Sequence, residues 1–246
     1  MQDFTNFNPN VQNQGNTSGL ALTGEAVFFQ KVYAWMFVAL LVTAGLGWVL
    51  STSETWLRLM INVGLVRWGV ALAPLILTLY LSARLEHLSS TAIRGFLLAI
   101  AAFFGCTLSI VFLVYPTAAL VKAFVCTAGI YGAMAAYGLV TKRSLQAMGS
   151  FLYMGVWGLV IASLINIFFV NSGPMDFVIC VIGVLIFAGL TAYDHQKLRV
   201  LHFSAVRGGA SDEDLTRFAL MGSLSLYLDF INLFLFLLRL FGRGND

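Results

Sequence analysis

Long apolar runs separated by short polar breaks set the pattern of this chain. Seven runs can be read, at 28–50, 66–81, 93–114, 118–140, 151–170, 177–193 with room for an extension, and 218–241. A helix needs about 20 such residues to cross a bilayer core, and most of these runs reach or approach that length. Polar breaks at 86–90, 141–144 and 171–174 are too short for anything but turns, and the one sizeable loop expected is 199–217, with Gly208-Gly209 and the acidic run Asp212-Glu213-Asp214. The pattern predicts an all-α polytopic membrane protein with seven transmembrane helices. No internal repeat stands out, which disfavours an inverted-repeat transporter.

The first 24 residues break the pattern. They are rich in Gln, Asn, Gly, Thr and Ser and carry neither a basic n-region nor an apolar core. Residues 1–24 therefore read as a disordered polar tail rather than a signal peptide, and 25–246 as the seven-helix domain, inserted through its own first helix.

Composition agrees. The 246 residues are 59% hydrophobic and 10% charged, with a mean hydropathy of +0.87, against about 25% charged residues in a soluble domain. The net charge is +3 and the basic residues are scattered singly, so nucleic acid is not an expected partner. Cys106, Cys126 and Cys180 all lie in apolar runs; their odd number and wide spacing give neither a disulfide framework nor a zinc site. No Ser/His/Asp or Cys/His constellation, phosphate loop or zinc-protease motif appears, so the chain reads as a protein that is not an enzyme and needs no resident cofactor.

Lys and Arg set the orientation. With the N-terminus inside, Lys31, Arg84, Arg94, Lys142, Arg143, Lys197, Arg199, Arg207 and Arg217 fall on the inner side, and Arg58, Arg67, Lys122, Arg239 and Arg243 on the outer side. Seven crossings then place the C-terminus outside. Arg239 and Arg243 pull against this, and a re-entrant last segment with both termini inside stays open.

The chemistry lies in two acidic residues. Asp229 sits in the middle of the last apolar run and Asp194 closes the one before it. A charge at bilayer depth costs roughly 2.5–3.5 kcal/mol on insertion scales, so such residues mark function by default. On the last helix Gly222, Ser225, Asp229, Asn232 and Arg239 fall within about 100° of one another at 3.6 residues per turn. That stripe belongs against the bundle interior or a wet cavity. Straight helices leave the two carboxyls about 10 Å apart in depth at a rise of about 1.5 Å per residue.

Two carboxyls close together cannot both ionise cheaply, so the pair would share a proton. Arg84, ending the second run at the same side, would favour the charged form. A hard cation such as Ca²⁺ would compete with the proton. Two carboxylates are few for an ion that takes six to eight oxygens, so Asn232, backbone carbonyls or water would complete a weak, transient site. The structural alternative is an ion pair between Asp229 and a helix-end arginine. His87, His195 and His202 show no metal-ligand spacing and read as solvated residues at helix ends and loops. Gly105, Gly129, Gly132, Gly155 and Gly158 read as tight helix contacts.

Four stretches carry a resemblance: Gly105–Ser109, Tyr137–Leu145 (YGLVTKRSL), Gly189–Leu198 (GLTAYDHQKL) and Leu224–Gly242 (LSLYLDFINLFLFLLRLFG). With these the chain resembles the Bax inhibitor-1 family, the transmembrane Bax-inhibitor-motif proteins, in its bacterial branch, from about Gln30 to Gly242. The resemblance implies six helices around a central C-terminal one. It also implies a proton-sensitive calcium leak with a di-aspartyl sensor matching Asp194 and Asp229, and an arginine latch matched most nearly by Arg84. Ser144 stands where the family often has an aspartate.

The combined expectation is a pH-sensitive calcium leak channel of a bacterial inner membrane, with the lipid bilayer, calcium and protons as its partners. Its N-terminus would be cytoplasmic and its C-terminus periplasmic, with Ser225 and Asn232 lining the helix face. The rival, drawn from relatives linked to a quality-control protease, is a stress modulator that docks on a membrane protease through the tail and the 199–217 loop. A proton-coupled carrier for a small solute is a third reading.

Overall fold

In a computed structural model, residues 9–84 and 88–242 are described, with side chains from residue 24 onward. The helices are α1 (Pro9–Ser51), α2 (Glu54–Asn62), α3 (Gly64–Arg84), α4 (Ser90–Val114), α5 (Thr117–Val140), α6 (Gln146–Ile165), α7 (Gly173–Arg207) and α8 (Asp212–Gly242). Seven of them, all but α2, are long and apolar enough to cross a membrane. The chain is an all-α polytopic membrane protein.

Helix boundaries follow local chemistry. Ser53, Ser89 and Ser172 cap α2, α4 and α7, each side chain accepting from a backbone N–H of the first turn, which satisfies donors that the helix itself cannot. A π turn over Asn166–Val170 ends α6, and Asn171 leaves it in the left-handed conformation (φ 46°). The Asn166 carboxamide accepts from the Ser172 N–H at 3.1 Å.

Three features depart from the sequence expectation. The 199–217 loop shrinks to four residues, because α7 runs on to Arg207 and α8 begins at Asp212. The Arg199 guanidinium donates to the Leu139 carbonyl at 2.6 Å and pairs with Glu25 at 3.0 Å, so the charges that looked like loop chemistry hold the extended helix to its neighbours. The second departure is α2, a short helix between the first two spans. Its Trp56 indole donates to the Ser109 hydroxyl at 2.9 Å while Leu59 and Ile61 stay exposed, the signature of a segment lying along the membrane interface. It has only nine residues, too short to register as a spanning run. The third is that α1 continues back to Pro9, into the segment expected to be disordered; residues 1–8 lie outside the described residues.

The C-terminal helix is the centre of the bundle. α8 packs against α1, α4, α5 and α7, while α3 leans mainly on α4 and α6 mainly on α7. Buried polar groups tie the centre to its ring. The Thr43 hydroxyl sits 2.8 Å from the Tyr227 hydroxyl and 2.9 Å from the Ala101 carbonyl, and the Ser223 hydroxyl donates to the Val32 carbonyl at 2.8 Å. Without water to compete, such bonds hold helices in register.

Close approach is confined to some of the glycines. A Cβ on Gly105 would meet the Thr43 carbonyl at 2.9 Å, and one on Gly138 would collide with the Ala192 backbone. Gly155 sits against Ile186, but Gly129, Gly132 and Gly158 have nothing within 4 Å. Those three look outward from the bundle and are not the tight contacts that the small-residue pattern suggested. Gly138→Val should therefore destabilise the detergent-solubilised protein by about 1–3 kcal/mol through overpacking, whereas Gly129→Val should shift its unfolding midpoint by no more than the error of the measurement.

Candidate functional site

The last two helices run antiparallel, and two glycines fix their register. A Cβ on Gly222 would meet the Leu198 side chain at 2.6 Å, and one on Gly183 would meet the Phe236 ring at 2.7 Å. Residue 198 thus lies opposite 222, and residue 183 opposite 236. By the same register Asp194 faces the neighbourhood of Ser225 and Leu226, leaving it about 5 Å along the axis from Asp229 at 1.5 Å rise per residue. The depth gap of about 10 Å read from the sequence is too large, because it set Phe177 and Leu240 at the same depth, whereas α7 begins at Gly173 and the glycine contacts place residue 177 beyond Leu240.

Both carboxyls line one cavity of about 580 Å³. Asp194 is 4% exposed and Asp229 5%. Ser225 and Asn232 line the same cavity, so the polar stripe of α8 faces a space rather than a packed wall. The Tyr153 hydroxyl donates to Asp194 Oδ1 at 3.2 Å. Asn232 turns its amide to the Leu228 carbonyl at 2.8 Å, which spends a donor and leaves its carboxamide oxygen for the cavity. Asp229 Oδ2 is buried and has no hydrogen-bond partner, a costly state for a carboxyl in a low-dielectric interior.

The nearby cation is one that the sequence reading passed over. Lys197 lies three residues after Asp194, on the same face of α7. Its ammonium sits 6.0 Å from the centre of the Tyr153 ring and 5.9 Å from that of Tyr193. Arg84, the expected latch, is exposed in the last turn of α3 and pairs with neither aspartate. Arg239 is also elsewhere, pairing with Asp176 at 3.9 Å across the far ends of α7 and α8. That contact accounts for an arginine at the end where the charge count fits it poorly, and it removes the helix-end ion pair as a structural role for Asp229.

His195 and His202 are buried rather than solvated. The extension of α7 carries both into the bundle. His195 lies between the rings of Tyr33 and Tyr131, at 5.9 and 5.6 Å, and its Nδ1 is 2.6 Å from the Thr191 carbonyl. His202 packs on Phe28 at 4.9 Å. His87 lies outside the described residues. Gln196 completes the stretch: it accepts from the Leu145 N–H at 2.7 Å and donates to the Arg143 carbonyl at 2.8 Å. Ser144, beside them, is exposed and away from the cavity. Among the described residues no three His, Cys, Asp or Glu side chains come together as a metal cluster, so an ion at the aspartates would lean on Asn232, Ser225 and water.

Comparison with known proteins gives the chain its relatives. The family described as Inhibitor of apoptosis-promoting Bax1 matches residues 25–246. The chain is 40% identical over 220 residues to Inner membrane protein YbhL of Escherichia coli strain K12, covering 89% of this chain and 93% of that one. It is 40% identical over 219 residues to an uncharacterized protein of Deinococcus radiodurans (89% and 91%). An uncharacterized protein of Borreliella burgdorferi is 38% identical over 221 residues (89% and 93%).

If the cavity is wet, a cysteine in it is reachable by a water-borne reagent. In a background with Cys106, Cys126 and Cys180 changed to Ala, Ser225→Cys should react with a small cationic methanethiosulfonate at least tenfold faster than Leu226→Cys, its fully buried neighbour. Equal rates, read by mass spectrometry, would make the cavity dry.

Proposed function

The chain belongs to the family of Inhibitor of apoptosis-promoting Bax1 proteins, and on that premise we propose that it is a pH-sensitive calcium leak of the bacterial inner membrane. Asp194 and Asp229 are its proton sensor. The observation that supports this reading is the shared cavity: two buried carboxyls from adjacent helices line one space at mid-bundle, and the acceptor Asp229 Oδ2 has no partner there.

In the closed state the pair shares one proton and keeps α7 and α8 together. As the pH rises the shared proton is lost, the two charges repel, and the site both loosens and becomes a better ligand for a hard cation. Oxygen donors are what calcium requires, and the cavity offers the two carboxylates, the Asn232 carboxamide oxygen and the Ser225 hydroxyl. That is a set for transit, not for storage. Lys197 moderates the charge from the α7 side. Arg84 serves as latch only if the end of α3 swings inward, so in this reading it belongs to a second conformation.

The N-terminus is assigned to the cytoplasm and the C-terminus to the periplasm, on the basic residues gathered at the Asp194 side of the bundle. The protease-modulator reading is weaker in one respect. The segment expected to dock a partner is folded into α7 and α8, and its Arg199 is taken up by Glu25 and Leu139.

In liposomes, calcium flux should rise as the pH is raised through the titration of the pair. Asp229→Asn, which keeps the shape and removes the titrating group, should flatten that profile. A pH profile unchanged in Asp229→Asn would remove the aspartate pair as the sensor.

A further inference from the structure

The cavity that holds the two aspartates has a side opening that ion transit does not need. Its walls come from α3 on one side and α6 on the other. These two helices are not packed along each other, since α3 leans on α4 and α6 on α7. The rings of Trp68 and Phe168 stack at 6.3 Å and bridge the gap at one end. Between the two helices the rim is apolar and looks outward: Leu75 is 53% exposed, Val160 44% and Leu164 45%. A rim of exposed aliphatic side chains between two membrane helices faces acyl chains. Its floor, by contrast, is the carboxyl pair.

We infer that this cavity is a lateral binding site for a single-tailed alkyl amine, entering from the bilayer between α3 and α6. Its ammonium would sit at Asp229 and Asp194 and its tail along the apolar rim. The chemistry follows from the two ends of the space. Asp229 lines the cavity and its Oδ2 is buried and unpartnered, and a primary ammonium brings three donors and a compensating charge. The Tyr153 and Ser225 hydroxyls and the Asn232 carboxamide oxygen can share those donors. No Lys or Arg is among the lining residues, so a headgroup carrying phosphate finds no counter-charge and is disfavoured. A volume of about 580 Å³ falls in the range of roughly 300–1,000 Å³ that takes a ligand of drug size. Occupancy would place a fixed cation where the proton or calcium goes, so the amine would act as a blocker. The site uses the same carboxyls as the leak but does not depend on the leak.

The test is calorimetric titration of dodecylamine into the full chain in phosphatidylcholine nanodiscs, with empty nanodiscs as blank and dodecanol as the neutral match. Saturable binding near one per chain is expected, at least tenfold tighter than dodecanol. Asp229→Asn should weaken it at least tenfold. Val160→Trp, which fills the rim without touching a charge, should do the same and decides the matter if Asp229→Asn does not fold. Phe151→Ala, on the opposite side of α6, should leave it unchanged. Equal binding of amine and alcohol, or full amine binding in folded Asp229→Asn or Val160→Trp protein, would overturn the site. Loss of amine binding in phosphatidylethanolamine nanodiscs would assign the site to that lipid headgroup and overturn the choice of ligand. Calcium flux in the same preparations separates the two readings: saturable amine binding without flux keeps the site and removes the leak, and pH-dependent flux without amine binding does the reverse.

Discussion

The contact of Gly222 with Leu198, and of Gly183 with the Phe236 ring, sets the register of the last two helices. Much of the site depends on that register. Antiparallel helices can slide past each other at small energetic cost when their faces are smooth. A large side chain seated on a glycine prevents it, because each step of sliding puts a Cβ where there is no room. With the register fixed, Asp194 and Asp229 are held within a turn of one another, and neither can retreat to the membrane surface. Two buried carboxyls so placed cannot both ionise without a counter-ion or a cost in repulsion. Either changes how well α7 and α8 hold together.

The ring around α8 is uneven, and the unevenness makes the cavity. α1, α4, α5 and α7 reach the central helix directly, whereas α3 and α6 have one principal neighbour each. Both are weakened where they meet the cavity or end. Pro74, which lines it, removes a backbone donor within α3, and the Thr78 hydroxyl donates to the Pro74 carbonyl at 2.7 Å. α6 gives way to a π turn at Asn166. Helices with few tertiary contacts and an interrupted hydrogen-bond ladder are the ones expected to move.

Polar groups elsewhere in the bundle are settled locally. Thr107, Thr127 and Thr191 each return their hydroxyl to the carbonyl four residues back, which costs the bundle little in a medium without water. Five buried side-chain atoms among the described residues have no hydrogen-bond partner, Arg94 Nε, His195 Nε2, His202 Nδ1, Arg217 Nε and Asp229 Oδ2, and of these residues only Asp229 lines the cavity. In a membrane interior, unsettled polarity marks the place where something other than the protein completes the bonding.

The sequence by itself determined the number of spans and the class of the fold, and it singled out the two aspartates, since hydropathy over some 20 residues and a charge at membrane depth are both properties of composition and spacing. The small amphipathic α2 escaped it, and an extension of the sixth run stood open without its reach to Arg207. A nine-residue helix is shorter than the window that detects a span, and the polar half of α7 is held by partners elsewhere, Gln196 on the α5–α6 connection and Arg199 and His202 on other helices. Only the tertiary structure decided which cation stands near the pair. Arg84 and Lys197 are both basic residues at the same end of the bundle, and the three-residue spacing of Lys197 from Asp194 becomes one helix face only because α7 runs on past Tyr193. Packing ranks the two: Lys197 is carried on the helix of Asp194, while Arg84 ends a peripheral helix that the cavity separates from the core. Contact between helices is set by register and rotation, which single-helix periodicity leaves free.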